Sequence, residues 1–344
     1  MTAGPPGLDL DRLAEHLRRH APGLLAGPLR ATVIAGGKSN ITYEVTSGGQ
    51  AFIVRRPPLG HVLATAHDMG REYRVLTALG PTAVPVPRTE LFCGDESVLG
   101  APFYVMAKVA GTAYRDAADL ARLGPDRTRH INGRMVDTLA ALHAVDPAAV
   151  GLADLGRPDG YLARQLRTWR RQSDATPSSD PEPVRALHTQ LVARLPAEAA
   201  HTAVHGDYRL DNLLVDDAGE IAAVVDWEMA TLGDPFTDLA LLLAYRRLAD
   251  LDTRRAIGDA AAAPGAFTPV EICERYATAS GCDLPDLGFY LGLAYLKLAV
   301  VLEGIAYRFC QGHTVGDGFE HIGGLVSGLL DGGREALASK RSPL

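Results

Sequence analysis

The chain has 344 residues, a net charge of −7, 47% hydrophobic and 22% charged side chains. That length is too great for one core of ordinary size and predicts two lobes or closely packed domains, with disorder confined to the ends. The acidic balance excludes nucleic acid as a partner, because phosphate backbones are held by surplus Lys and Arg.

The opening Met1-Thr-Ala-Gly-Pro-Pro leads to Asp9 and Asp11 without a basic and then apolar run, so no signal peptide is expected. Leu8, Leu10, Leu13 and Leu17 have helical spacing over Leu8–Arg19. Short β-rich runs follow at Thr32–Ile34, Ile41–Thr46 and Ala51–Arg55, separated by Ala35–Asn40 and Ser47–Gln50, which contain glycine. Asp68–Leu79 reads as a helix capped by Asp68 and stopped by Gly80-Pro81, and strands follow near Arg88–Cys93 and Pro102–Met106. So many neighbouring short strands predict an antiparallel sheet carrying one helix.

Beyond Gly111 the pattern turns helical, at Arg127–His143, Asp159–Arg171 and Pro183–Leu195. A β-rich island covers Thr202–Val204, Leu213–Val215 and Ile221–Val225, and helices resume at Pro235–Arg247, Pro269–Ser280, Asp286–Phe309 and Phe319–Leu330. The fold class is therefore α+β. An N-terminal β-rich lobe spans residues 1–107 and a helical lobe 108–344, with ligands expected in the cleft between them. The apolar run Leu287–Val301 is interrupted by Lys297 and reads as a buried helix, too short to span a membrane. Cys93, Cys273, Cys282 and Cys310 form no C-x-x-C pair, and reduced thiols in a cytoplasmic protein are expected.

The densest polar segment is His205-Gly-Asp-Tyr-Arg-Leu-Asp-Asn212, followed by a strand pair and Asp226-Trp-Glu228. Phosphoryl transfer needs such a set: one carboxylate to accept the proton of an attacking hydroxyl, and a second carboxylate with an amide oxygen to hold magnesium. An Asx turn would explain Asp207 or Asn212 taken singly. Their five-residue gap, with Asp226 beyond the strands, matches the catalytic-loop spacing of protein kinases.

These motifs resemble the aminoglycoside phosphotransferase family, of bilobal protein-kinase-like fold, and most of all its branch associated with acyl-CoA dehydrogenases. Supporting segments are Gly36-Gly-Lys-Ser-Asn40, Phe52-Ile-Val-Arg-Arg-Pro-Pro58, Arg71-Glu-Tyr-Arg74 and Asp226-Trp-Glu-Met-Ala-Thr-Leu-Gly-Asp-Pro235. The resemblance implies that Asp207 is the catalytic base and that Asn212 and Asp226 ligate magnesium. ATP or GTP would be the phosphoryl donor and a small-molecule hydroxyl the acceptor, with no membrane partner. It also implies a hydroxyacyl-CoA-type acceptor; the alternatives are an antibiotic O-phosphotransferase or a nucleotide-binding pseudokinase.

Gly36, Gly37 and Ser39 lie in a loop whose backbone could approach phosphate. The chain lacks the P-loop spacing around Lys38. On the third strand, where a kinase carries Lys paired with a helix Glu, this chain has Arg55 and Arg56, with Glu72 as the expected partner. Alternation lets only one arginine face the ligand, and alignment with V-A-I-K picks Arg55. Tyr104–Gly111 resembles a purine-contacting hinge, with Met106 bordering the pocket and Lys108 beside it. His205 is read as a structural histidine that holds its loop, and Asp234 and Asp238 as braces of the next helix. For a coenzyme A acceptor, Arg246, Arg247, Arg254 and Arg308 offer basic groups.

Overall fold

A computed structural model describes residues 4–34, 40–59, 67–177, 180–198, 201–252, 257–312 and 319–339. The chain divides into two compact units: Met1–Gly111 with Ala222–Ala230, and Thr112–Ile221 with Thr231–Leu344.

The first unit is built on a five-stranded antiparallel sheet of β1 (Leu29–Val33), β2 (Ile41–Ser47), β3 (Gln50–Arg56), β4 (Thr89–Cys93) and β5 (Phe103–Ala107), in the order β1-β2-β3-β5-β4. Gly48 and Gly49 turn the β2–β3 hairpin with φ of 54° and 90°. Paired positive φ values match the twist of the flanking strands, and a Cβ at Gly48 would also meet the Ala26 carbonyl at 2.5 Å.

Side chains alternate along β3, so Phe52, Val54 and Arg56 share one face while Ile53 and Arg55 share the opposite one. Phe52 and Val54 pack with Tyr43, Val45, Phe103 and Val105 beneath Leu13 and Leu17 of helix α1 (Leu10–His20). Helix α2 (Met69–Leu79) begins at Asp68, whose carboxylate accepts from Arg71 N at 2.9 Å. It buries Glu72 together with Met69, Val75, Leu76 and Leu79. The short helix α3 (Glu96–Leu99), absent from the sequence reading, sits between β4 and β5.

The second unit is helical: α4 (Ala117–Leu123), α5 (Pro125–His143), α6 (Tyr161–Ala175), α7 (Glu182–Val192), α8 (Phe236–Leu251), α9 (Pro269–Ser280), α10 (Gly288–Cys310) and α11 (Leu325–Ala338). Three short strands interrupt the helices, β6 (Thr202–Val204), β7 (Leu213–Val215) and β9 (Thr231–Gly233), and β8 (Ile221–Val224) ends in the first unit. β6 pairs antiparallel with β9, a strand too short to announce itself in the sequence.

Helix α10 runs past the apolar stretch that marked it. It is long and apolar enough to cross a membrane, and 61% of that window is buried within the chain. The last helix also differs from expectation: a 3-10 turn occupies Phe319–Gly324 and α11 continues to Ala338. Glycine is a poor helix former, which hid how far this helix extends. Its role here is close approach, since a Cβ on Gly333 would lie 2.7 Å from Leu187 of α7.

The β6–β9 pair touches α6 through a second glycine. A Cβ on Gly233 would lie 2.6 Å from the ring of Tyr161, which is buried. Gly233→Ala is expected to destabilise the fold by about 1–3 kcal/mol through overpacking, read as a lower midpoint of chemical denaturation. An unchanged midpoint would mean that the ring moves freely aside.

Candidate functional site

β6 delivers the chain to His205, Gly206 and Asp207, and every turn of this loop is tied down. The carboxylate of Asp238, on the first turn of α8, is 1% exposed. It accepts from the backbone N–H groups of His205 at 2.6 Å and Gly206 at 2.8 Å, and His143 Nε2 lies 3.4 Å from it. Burial alone would raise its proton affinity, but bonding to and charge on His143, then the charge and N–H of His205, hold Asp238 below the usual carboxylate range. His205, fully buried, uses Nδ1 to accept from Asp207 N at 3.2 Å, the structural role its sequence context suggested.

Gly206 has φ of 82°, so its carbonyl turns toward α10 and accepts from Lys297 Nζ. Lys297 lies over the Trp169 ring, 5.4 Å from its centroid. Burial pushes the ammonium below its ordinary value, while the charges of Asp207 and Asp238 pull it back.

A 3-10 turn at Leu210–Asn212 folds the loop back on itself. Asn212 Nδ2 donates to the Asp207 backbone carbonyl at 2.8 Å and to its Oδ2 at 3.1 Å. That use of the amide nitrogen leaves the amide oxygen as a donor atom for a cation. Oδ1 of Asp207 accepts from the Tyr245 hydroxyl of α8. Arg209 covers the Tyr245 ring at 4.4 Å and pairs with Asp211 at 2.5 Å.

The second group of polar residues belongs to the first unit. Among the described non-glycine residues only Asp226 has positive φ, 65° with ψ 60°. Its Oδ1 accepts from Arg55 Nη2, while Arg55 Nε donates to Glu72 at 3.1 Å. The other Glu72 oxygen accepts from Trp227 N at 3.2 Å, and Trp227 is fully buried. Burial pushes Glu72 upward against the pull of Arg55. Arg55 is held above its ordinary value because the nearby charge of Glu72, then Tyr104 and Asp226, outweighs its own burial. Arg71 fastens the end of the segment by donating to the Ala230 carbonyl at 2.7 Å.

Arg55 therefore carries the pairing with Glu72, whereas Arg56, on the opposite face of β3, donates to the carbonyls of Leu99 at 2.9 Å and Gly7. Met106 is 7% exposed and sits opposite Ile53 in the sheet. Lys108 is directed to Glu44 at 2.6 Å in a half-exposed pair. Gly36, Gly37, Lys38 and Ser39 lie outside the described residues. Asp234 caps α8, accepting from Phe236 N at 3.1 Å and from Tyr290 at 2.9 Å. Sequence reasoning missed the reach of Asp238 to the His205–Asp207 loop and the contacts of Tyr245 and Lys297 with it. A lysine inside an apolar helix was the one available signal.

The donor set fits magnesium. No cluster of three or more His, Cys, Asp or Glu side chains suited to a metal occurs among the described residues. Magnesium in a phosphoryl-transfer site needs only one or two protein oxygens beside phosphate and water, and the Asp226 carboxylate and the Asn212 amide oxygen are each donors of that type.

The sheet unit, the helical unit and these two polar loops define a phosphotransferase of protein-kinase-like fold. Over 96% of the chain and 98% of its counterpart, the fold matches a putative aminoglycoside phosphotransferase from Ralstonia eutropha JMP134, with TM-score 0.82 and 31% identity. Aminoglycoside phosphotransferase APH(4)-Ia, solved with AMP-PNP and hygromycin B, matches over 95% of this chain and 99% of that one, with TM-score 0.61 and 14% identity. The chain belongs to the APH phosphotransferase enzyme family, whose model matches residues 30–271. It is 34% identical to acyl-CoA dehydrogenase family member 11 of Gallus gallus over 95% of its own length, and 32% identical to family member 10 of Mus musculus over 92%. The chain spans 43% and 30% of those two proteins.

Proposed function

We propose that this phosphotransferase is a small-molecule kinase that moves the terminal phosphoryl group of ATP or GTP to an acceptor hydroxyl. The observation that carries this reading is the Asp207 carboxylate, oriented through both oxygens on a loop whose backbone is itself pinned. Asp207 takes the acceptor's proton as its oxygen attacks in line. Asn212 and Asp226 would be the protein ligands of magnesium, which would supply neutralisation of charge on the phosphate oxygens. Arg55, backed by Glu72, grips the phosphates as a planar fork where a kinase lysine would act as a point charge. By the family resemblance, Gly36, Gly37 and Ser39 are assigned to the phosphates and Met106 to the purine.

For the acceptor, a hydroxyacyl-CoA-type metabolite is favoured over an aminoglycoside. The curated relatives cited above carry acyl-CoA dehydrogenase names. A polycation would also need spare carboxylates beside the base. Here Asp211 is spent on Arg209 and Asp238 on the loop backbone, and Lys297 brings positive charge toward Asp207. The exposed Arg308 remains available for an anionic tail, whereas Arg246 is engaged by Asp250 at 3.4 Å and the Ala261 carbonyl at 2.9 Å.

The test is nucleotide consumption in magnesium and in EDTA, against hydroxyacyl-CoAs, aminoglycosides and macrolides side by side. Magnesium-dependent transfer to a hydroxyacyl-CoA is expected. Transfer to an aminoglycoside alone would reverse the choice of acceptor, and nucleotide binding without any transfer would favour the pseudokinase.

A further inference from the structure

The catalytic loop is not the only source of groups on Asp207. Its carboxylate meets Asn212 from its own loop at Oδ2, 3.1 Å away, and Tyr245 from α8 at Oδ1. Each oxygen of a carboxylate has two lone pairs, so each keeps one for an incoming hydroxyl. The carboxylate is thus fixed in rotation about its last bond from two sides while remaining able to accept. A proton acceptor must hold its geometry within a few tenths of an ångström to be effective, and a single donor leaves the carboxylate free to swing.

Tyr245 is itself held. Its ring lies beneath the Arg209 guanidinium at 4.4 Å, and Arg209 is anchored by Asp211 at 2.5 Å and by donation to the Ile257 carbonyl at 3.0 Å. The charged groups facing Asp207 are therefore Arg209 and Asp211 of its own loop and Lys297 of α10. Burial, and then the charge of Asp207, pushes the Tyr245 phenol upward, so it stays protonated and serves only as a donor to the carboxylate. A hydroxyl held protonated by burial, on a ring stacked under a guanidinium, is suited to aiming a base and unsuited to replacing it.

We propose that Tyr245 is a positioning residue for phosphoryl transfer, its hydroxyl fixing the Asp207 carboxylate in the orientation that receives the acceptor proton. The proposal rests on the assignment of Asp207 as the base.

Tyr245→Phe removes the hydroxyl and keeps the ring under Arg209. The assay follows the terminal phosphate of radiolabelled ATP with magnesium and the acceptors above, with thermal unfolding measured on the same samples. The expected result is a fall in kcat of about tenfold or more, from loss of one hydrogen bond to a charged group. KM for ATP stays within twofold and the unfolding temperature within a few degrees. A kcat within twofold of wild type overturns the proposal. So does a joint movement of kcat, KM and unfolding temperature, which would mark a purely structural tyrosine. Asp207→Asn, run in parallel, separates the two claims. If it keeps wild-type turnover, the base assignment fails whatever Tyr245 does. If it is inactive while Tyr245→Phe is normal, only the role of Tyr245 falls.

Discussion

Asp207→Asn is expected to lower phosphoryl transfer by about 10²- to 10⁴-fold, the range removed with a general base. Nucleotide affinity, measured by calorimetry, should change less than twofold. Asparagine keeps the size of the side chain and an oxygen to accept from Tyr245. What it lacks is the ability to take a proton. Arg55 and Glu72, which are assigned to the phosphates, belong to the first unit and do not depend on that oxygen. A variant that keeps more than a tenth of wild-type turnover would remove Asp207 from the mechanism.

Asp238→Ala should have the largest effect on stability. The substitution leaves the His205 and Gly206 N–H groups without their buried acceptor and His143 without its facing carboxylate. Breaking such an arrangement costs about 3–5 kcal/mol, a large part of the 5–15 kcal/mol that ordinarily holds a domain together. Activity should fall with it, since the loop carrying Asp207 hangs from these bonds. The pH dependence has a definite sign. Because folding holds Asp238 below its unfolded value, its stabilisation is complete above about pH 4 and is lost as acid protonates it in the folded state. The stability gap between wild type and Asp238→Ala in urea denaturation should therefore be widest near neutrality and narrow below about pH 4. A gap that stays constant on acidification would show that the bonds do not depend on the charge.

Much of the first unit was legible because its signals are local. β2 and β3 alternate, Gly48-Gly49 announces the turn, and Asp68 is a visible cap. The polar segment of the candidate site was conspicuous for the same reason: Asp207 and Asn212 sit five residues apart in one continuous motif. The two-residue period of a strand separated Arg55 from Arg56, alignment with V-A-I-K chose Arg55, and the opposite partners of the two guanidiniums reflect that separation. The supports of the loop were not legible. Asp238 follows a proline at a helix start, where a cap is the ordinary expectation, and Tyr245 and Lys297 come from helices remote in sequence. Only tertiary packing of α8 and α10 brings their polar ends to Gly206 and Asp207. β9 was missed and the bounds of α11 were misplaced for local reasons, one being three residues long and the other rich in glycine.

The left-handed backbone at Asp226 has a consequence for reading the family's divergent members. Asp, Asn and Gly tolerate that conformation far better than other residues. A descendant that lost its chemistry would still be confined there to a short menu, so persistence of aspartate at this site is weak testimony to activity. Asp207 is under no such backbone demand, since its φ is not positive. Decay of the enzyme should surface first at Asp207, and that is the position by which a silent copy would be recognised.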